Sequence, residues 1–311
     1  MKTTILNSLI LSAAILLPTI ARAESRDYTY SIIDGTVAMT GYKGPGGPAI
    51  IPNTIDGLPV TSVADRAFFG CTIITSVKIP NTVTHIGDYA FYSCTRVASV
   101  DLPESLTSIG EGAFSHCGSL AHVNIRDQVT RIPDWTFYSC TNLVDAGIGN
   151  AVTDIGLYAF YSCPSLQKVT LGKSLNYIAW YAFRECPSLK RLHFEGNAPA
   201  IEFGTFYQTT SATVFYRTDT RGWAKNFAGF PTVLWNPLIQ GASPTFGIRS
   251  NSFDFVIKGT PDIPIAIEAS THLSAETWTS LQVCSLTNGL IRFSDSTWQE
   301  YRQRFYRIAS P

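Results

Sequence analysis

From Val63 onward the apolar positions recur with a period far longer than that of any helix or strand. Phe68, Phe91, Phe114, Phe137, Phe160, Phe183 and Phe206 stand 23 residues apart. Cys71, Cys94, Cys117, Cys140, Cys163 and Cys186 follow three residues behind the first six, and Val63, Ile86, Ile109, Ile132, Ile155 and Ile178 lie five residues ahead of them. Ile74, Val97, Leu120, Leu143, Leu166 and Leu189 keep the same period, as do Ile79, Leu102, Ile125, Ile148, Leu171 and Phe194. Five columns in register over six copies mark a repeat architecture.

The pattern inside one copy predicts its elements. In residues 106–128, Leu106 and Ile109 flank a short extended segment. Gly110 allows a turn, and residues 111–117 have room for only a single helical turn. Leu120, Val123 and Ile125 then form an L-x-x-V-x-I strand with alternate side chains inward. One copy cannot bury its apolar side alone. Stacked as parallel strands about 4.8 Å apart, each Phe and Ile meets a like neighbour above and below.

Solenoid ends need caps. Ile51-Pro52-Asn53-Thr54 repeats as Ile79-Pro80-Asn81-Thr82, so a partial copy precedes the first full one. Before it, residues 28–33 and 36–40 flank Asp34-Gly35 as a hairpin. At the other end Thr209 replaces the cysteine, and Trp223, Phe227, Phe230 and Trp235 suggest an aromatic plug. We therefore expect an N-terminal cap over residues 24–56, repeats over 57–200 and a C-terminal cap over 201–236.

Asn236-Pro237 and Gly241-Ala242-Ser243-Pro244 mark a linker, and the period is absent beyond it. Residues 253–258, 263–269, 278–283, 290–294 and 304–308 read as short strands, with Pro261, Asn288-Gly289 and Asp295 as turn signals. Over residues 237–311 this is the pattern of a small antiparallel β-sandwich. The expected fold class is mainly β: a solenoid of parallel strands with single helical turns, followed by that sandwich.

The unit L-T-S-I-G-E-G-A-F-S-H-C-G-S-L-A-H-V-N-I, residues 106–125, resembles the bacterial surface-antigen (BspA-like) type of leucine-rich repeat. The shared core is I-x-x-x-A-F-x-x-C-x-x-L, and the resemblance covers roughly residues 50–206. Thr136 and Thr205 depart from its alanine, and Ala146 weakens one strand position. The resemblance implies a leucine-rich-repeat solenoid with adhesion or protein binding at cell surfaces, and no catalytic residues to carry over. The stretch Glu268-Ala-Ser-Thr-His-Leu with Trp278, and the ending Arg304-Phe305-Tyr306-Arg307, resembles a tail domain appended to other exported bacterial repeat proteins.

The N-terminus changes where such a protein would act. Lys2, the apolar run of residues 5–20 and Ala21-Arg22-Ala23 have the layout of a secretory signal peptide over residues 1–23. The expected address is secreted or extracytoplasmic, with no membrane span in the mature chain. Removing Lys2 and Arg22 from the 23 basic residues leaves 21 against 23 acidic ones, a net charge of −2. Such a balance gives no electrostatic hold on nucleic acid.

Candidate chemistry is sparse. A line of thiols, one per repeat, does not converge as metal ligands must. Core packing explains it, with disulfides between adjacent copies as the alternative. The five histidines fall in different columns, and no nucleophile elbow, P-loop, dinucleotide fingerprint or H-E-x-x-H occurs. We therefore expect neither an enzyme nor a cofactor. The outward strand positions vary while the core columns do not: Ser76, Ser99, His122, Asp145, Lys168 and Arg191, then Lys78, Asp101, Asn124, Gly147, Thr170 and His193. Of these, Asp101, His122, Asn124, Asp145, Lys168, Arg191 and His193 are candidate partner-binding residues; unconstrained solvated positions would vary as well. Trp135 and Tyr158, from an aromatic column with Tyr89 and Tyr181, are a second candidate edge; the same rings could simply shield the core. Two function classes follow. One is a binding protein for protein or polysaccharide outside the cytoplasm; the other is a structural component of the envelope or matrix with no discrete ligand.

Overall fold

The computed structural model describes residues 25–244, 246–249, 251–273 and 278–309. The expected signal peptide lies outside the described residues.

Each repeat is one coil with three sides, and we number the coils 1 to 7 by their phenylalanines, Phe68 to Phe206. The first side is a short strand, such as Arg131–Ile132 or Asp154–Ile155. A run of tight turns carrying the phenylalanine forms the second. The third is a main strand: Ile74–Lys78, Ser99–Asp101, His122–Asn124, Asp145–Ile148, Lys168–Leu171, Arg191–Phe194 and Thr213–Tyr216. Main strands pair in parallel, with His122 beside Asp145, Asp145 beside Lys168 and Lys168 beside Arg191. One period of sequence is thus one step of the stack. The phenylalanine rings stack at centroid distances of 4.8 to 5.5 Å. The other expected columns are buried beside them; Cys71, in the first coil, is only half-buried.

The turn side corrects one expectation: residues 111–117 form no helical turn. Ala113, Ser115 and Cys117 donate their N–H groups three residues back, at 3.4, 3.0 and 3.2 Å. Gly112, Phe114 and His116 instead donate to the carbonyls of Asp134, Thr136 and Tyr138 in coil 4, at 3.0, 2.9 and 2.7 Å. A helix would spend every N–H along its own axis and leave the stacked coils unbonded here. The alternating ribbon makes a third ladder between coils. It requires two left-handed residues per coil, Gly112 and His116 in coil 3, Trp135 and Ser139 in coil 4. Left-handed φ costs a non-glycine residue roughly 1–2 kcal/mol, which the ladder bonds offset.

Tyr28–Ile33 and Thr36–Tyr42 form the expected hairpin, with Asp34 and Gly35 at φ 48° and 74°. Its Tyr28 and Tyr42 rings cover Phe68. A second Asp-Gly pair, Asp56-Gly57, turns Thr54–Ile55 back onto Leu58–Val63, a hairpin with the same dipeptide signal. At the far end Phe230 covers Phe206 edge-on at 5.3 Å, and Trp223 and Phe227 cover Phe194. Trp235 does not belong to that plug. With Phe215 it faces the C-terminal sheets, and its indole N–H reaches the Pro264 carbonyl at 3.3 Å.

Beyond the solenoid stand two antiparallel sheets. One holds Leu238–Ile239, Gly247–Arg249, Ser252–Lys258 and Leu290–Asp295; the other holds Pro264–Ser270, Thr279–Ser285 and Phe305–Ala309. The first two strands lie in or near the segment expected as linker. Phe255, Ile257, Ile263, Ile265, Ile267, Leu286 and Phe293 pack into one core, which Phe215 of the coil 7 main strand joins. The sandwich is therefore seated on the last coils.

Candidate functional site

Along each main strand one residue points in between two that point out, because successive side chains alternate. Val77, Val123, Ala146, Val169 and Leu192 are the buried members. The outward rows are open at one end and covered at the other. Ser99, Asp101, His122 and Asn124 are exposed; Asp145, Lys168 and Arg191 are half-buried. His193 is only 4% exposed.

His193 therefore corrects the sequence reading, which placed it on an accessible face. Its imidazole stacks on Phe215 at 4.6 Å and meets Trp235 edge-on at 6.0 Å, under the seated sandwich. Burial lowers its pKa to about 3, and the nearby Lys168 and Arg191 cations push the same way. It is a neutral packing residue. Burial also lowers the pKa of Lys168; Arg191 adds to that, while Asp145 and Glu268 of the sandwich oppose it.

The open part of the face carries charges of both signs. His122 Nδ1 contacts the Asp145 carboxylate across the coil boundary. The His122 side chain is 67% exposed and that of Asp145 44%, so solvent screens the pair and it contributes little to stability. Arg126, just after the main strand, anchors the rim. Its Nε donates to the Leu102 carbonyl at 2.8 Å, and its other nitrogens lie 2.8 Å from Glu104 and 3.7 Å from Asp101. A polar groove of about 600 Å³ runs from Asn124 and Gly147 past Thr170 and Lys173 to Arg307 of the sandwich. Arg307 is held by Glu268 at 2.6 Å and lies 4.5 Å from the Trp278 ring centre.

Arg126, Glu268, Trp278 and Arg307 did not stand out as site residues in the sequence. Arg126 had a weak signal, since its column holds Pro80, Pro103, Gly149 and Gly172, although Glu195 in the sixth coil also departs from proline and glycine. The other three belong to the tail-domain motif, but their place beside the strand face depends on how the sandwich docks.

Trp135 and Tyr158 lie on the turn side of the coils, apart from the strand face. Their rings stack at 6.5 Å, and Tyr158 stacks on Tyr181 at 5.4 Å. Tyr138 and Tyr161 form the parallel column at 5.1 Å. Trp135 and Tyr158 are half-buried by this mutual stacking.

The cysteine ladder is hydrogen-bonded. Each thiol from Cys94 to Cys186 donates to the phenylalanine carbonyl of the previous coil, as Cys117 does to Phe91 at 3.1 Å and Cys140 to Phe114 at 3.2 Å. Burial pushes the Cys117 and Cys186 thiols up to about 12. All seven cysteines are free. Among the described residues no group of three or more His, Cys, Asp or Glu could hold a metal ion.

The 23-residue period, the buried columns and the stacked parallel strands agree with a family model described as a BspA type leucine rich repeat region. It matches in six copies over residues 61–190 and 146–221, together more than half of the chain. The chain belongs to the BspA-type leucine-rich repeat family. Among solved structures, the Treponema pallidum (T. pallidum) leucine rich repeat protein is 32% identical, with a TM-score of 0.53 over 63% of this chain and 86% of that one. A leucine rich cell surface protein from Faecalibacterium prausnitzii A2-165 is 23% identical, with a TM-score of 0.45 over 61% and 69%. No curated protein matches the chain. Among the described residues of this BspA-type protein, no helix is long and apolar enough to cross a membrane.

Proposed function

We propose that this BspA-type repeat protein is an exported, non-catalytic binding protein that recognises a protein partner outside the cytoplasm through the open end of its main-strand face. The residues that carry recognition are Asp101, His122, Asn124 and Asp145, with Lys168 and Arg191 at the border of the sandwich. One observation supports this reading above the rest: the outward rows change charge and size from coil to coil over an unchanging core, and they stay open where the sandwich does not reach. Mixed charge without exposed rings suits a protein surface better than a sugar, which stacks on aromatic faces. The leader pattern of residues 1–23 supports export.

The test replaces Asp101, His122, Asn124 and Asp145 jointly with Ala. Exposed side chains of this kind contribute within about 0.5 kcal/mol each to stability, yet direct partner choice. The thermal midpoint should hold while capture of the wild type's extracellular partner is lost. If capture survives there and fails instead in Trp135→Ala/Tyr158→Ala, the aromatic edge is the site. If the wild type captures nothing, the structural-component reading replaces this one.

A further inference from the structure

The turn-side ladder stops with its donors exposed. At five of the six junctions between coils, three alternate N–H groups reach carbonyls of the next coil; Arg66, Phe68 and Gly70 reach Asp88, Ala90 and Tyr92 at 2.9, 2.7 and 2.7 Å. At the sixth, Phe183 and Glu185 reach Thr205 and Tyr207, both at 2.9 Å. Coil 7 keeps the ribbon geometry. Gly204 and Gln208 are left-handed at φ 72° and 62°, and Thr205, Tyr207 and Thr209 donate three residues back at 3.4, 2.9 and 2.9 Å. Gly204, Phe206 and Gln208 thus hold their N–H groups toward the place of an eighth coil. Among the described residues none of the three has an acceptor.

That place is a groove. About 440 Å³ lies between the coil 7 ribbon and the hairpin tip of Ala228 and Gly229, with Phe230 and Phe206 in its lining. Phe203 and Tyr207 flank it, 78% and 54% exposed. An open ribbon edge of this kind is a template for another chain.

We propose that this edge binds an extended peptide segment of a partner protein, in parallel, through three alternate backbone carbonyls. The six inner junctions define what fits. The middle acceptor is small at each, namely Ala90, Ala113, Thr136, Ala159, Ala182 and Thr205. The next residue must also be small here, because Phe230 already occupies the space over Phe206 where a further phenylalanine would stack. The residue giving the first carbonyl lies over Phe203, and the one giving the third lies over Tyr207, so both are aromatic or large and apolar. A second copy of this chain does not fit. The middle one of the matching carbonyls of its coil 1, that of Ala67, lies against its own N-terminal cap, where a side chain on Gly41 would come within 3.7 Å of the Ala67 oxygen. The edge is separate from the strand face, and its occupant does not depend on that reading.

The probe is acetyl-Phe-Gly-Ala-Gly-Tyr-Gly-amide, added to the full chain while amide exchange is followed residue by residue by NMR. In the free protein Gly204, Phe206 and Gln208 should exchange faster than Thr205, Tyr207 and Thr209, whose N–H groups are bonded. Saturating peptide should slow the first three by about tenfold or more and leave Asp101 and His122 unshifted. A Phe203→Ala/Tyr207→Ala variant, altered only at exposed rings, should lose that protection while keeping its fold. The proposal is overturned if no saturable protection develops, if shifts gather on the strand face, or if protection rises with protein concentration alone, which would make a second copy the occupant.

Discussion

The cysteine column shows how one side chain can serve packing and bonding together. A buried phenylalanine carbonyl accepts the N–H of its own coil's cysteine and the thiol of the next coil. At the last step Thr209 replaces cysteine, and its hydroxyl reaches the Phe183 carbonyl at 2.8 Å. A short donor, and not sulfur itself, is what the site requires. Cys140→Ala should therefore cost about 1–2 kcal/mol in urea unfolding, and Cys140→Thr clearly less. A threonine variant weaker than alanine would sink this account. The same burial sets the alkaline response. Folded thiols hold their protons up to about pH 12 at Cys117 and Cys186, whereas an unfolded thiol releases its proton near pH 8.5. Their contribution is fully present below that value and declines as pH rises toward 12, by up to about 1.4 kcal/mol per pH unit per thiol. Unfolding at pH 10.5 should thus need markedly less urea than at pH 8, and Cys117→Thr should make the decline shallower.

At the scale of the element, three ladders hold each coil to the next, and each tolerates a different kind of change. Phe137 lies between Phe114 and Phe160 at 5.5 and 5.1 Å and is fully buried. Phe137→Ala should cost about 3–5 kcal/mol through the cavity it leaves. Phe206 sits at the end of the stack, yet Phe230 covers it and leaves it 8% exposed. Phe206→Ala should approach the same cost, and combining it with Phe230→Ala should cost less than the sum of the two, since the rings share one contact. Strict additivity in thermal melts would contradict the contact. Close approach makes Gly110 sensitive in another way. A Cβ there would lie 2.4 Å from Asp88 N and Gly87 C, both backbone atoms. Gly110→Ala must push coils 2 and 3 apart, and its circular dichroism melt should fall further than that of an exposed substitution.

For the whole molecule, the docked sandwich decides which part of the repeat surface is free. It buries His193 in neutral form beside Lys168 and Arg191. A histidine whose folded pKa is lowered to about 3 contributes stability that is present above its unfolded value near 6.5 and lost as pH falls through that interval. Acidification from pH 7 to 4 should therefore loosen the sandwich from the solenoid, and Trp235 fluorescence should report it. His193→Phe keeps the ring stack and removes the titration, so its docking should hold to lower pH. Equal acid midpoints in the two proteins would show that other groups control the contact.

The solenoid was legible in the sequence because its interactions are between equivalent positions. A column such as Phe68 to Phe206 must be uniform when each member packs on the next, so the period, the buried residues and the parallel register all leave a trace. Asp34-Gly35 was legible for a local reason, the backbone φ that its turn demands. The turn ribbon was not. The seven residues of a turn side such as 111–117 suit a helical turn equally well until the next coil offers its carbonyls, and those left-handed positions carry Tyr89, Trp135 and Tyr158, which do not announce them. The outward rows were found by pattern, but which of their members stay open was not. His122 and His193 read alike in sequence. The docking of Phe215 and Trp235 against a second hydrophobic core leaves the first in solvent and buries the other, because contacts between unlike units leave no period to read.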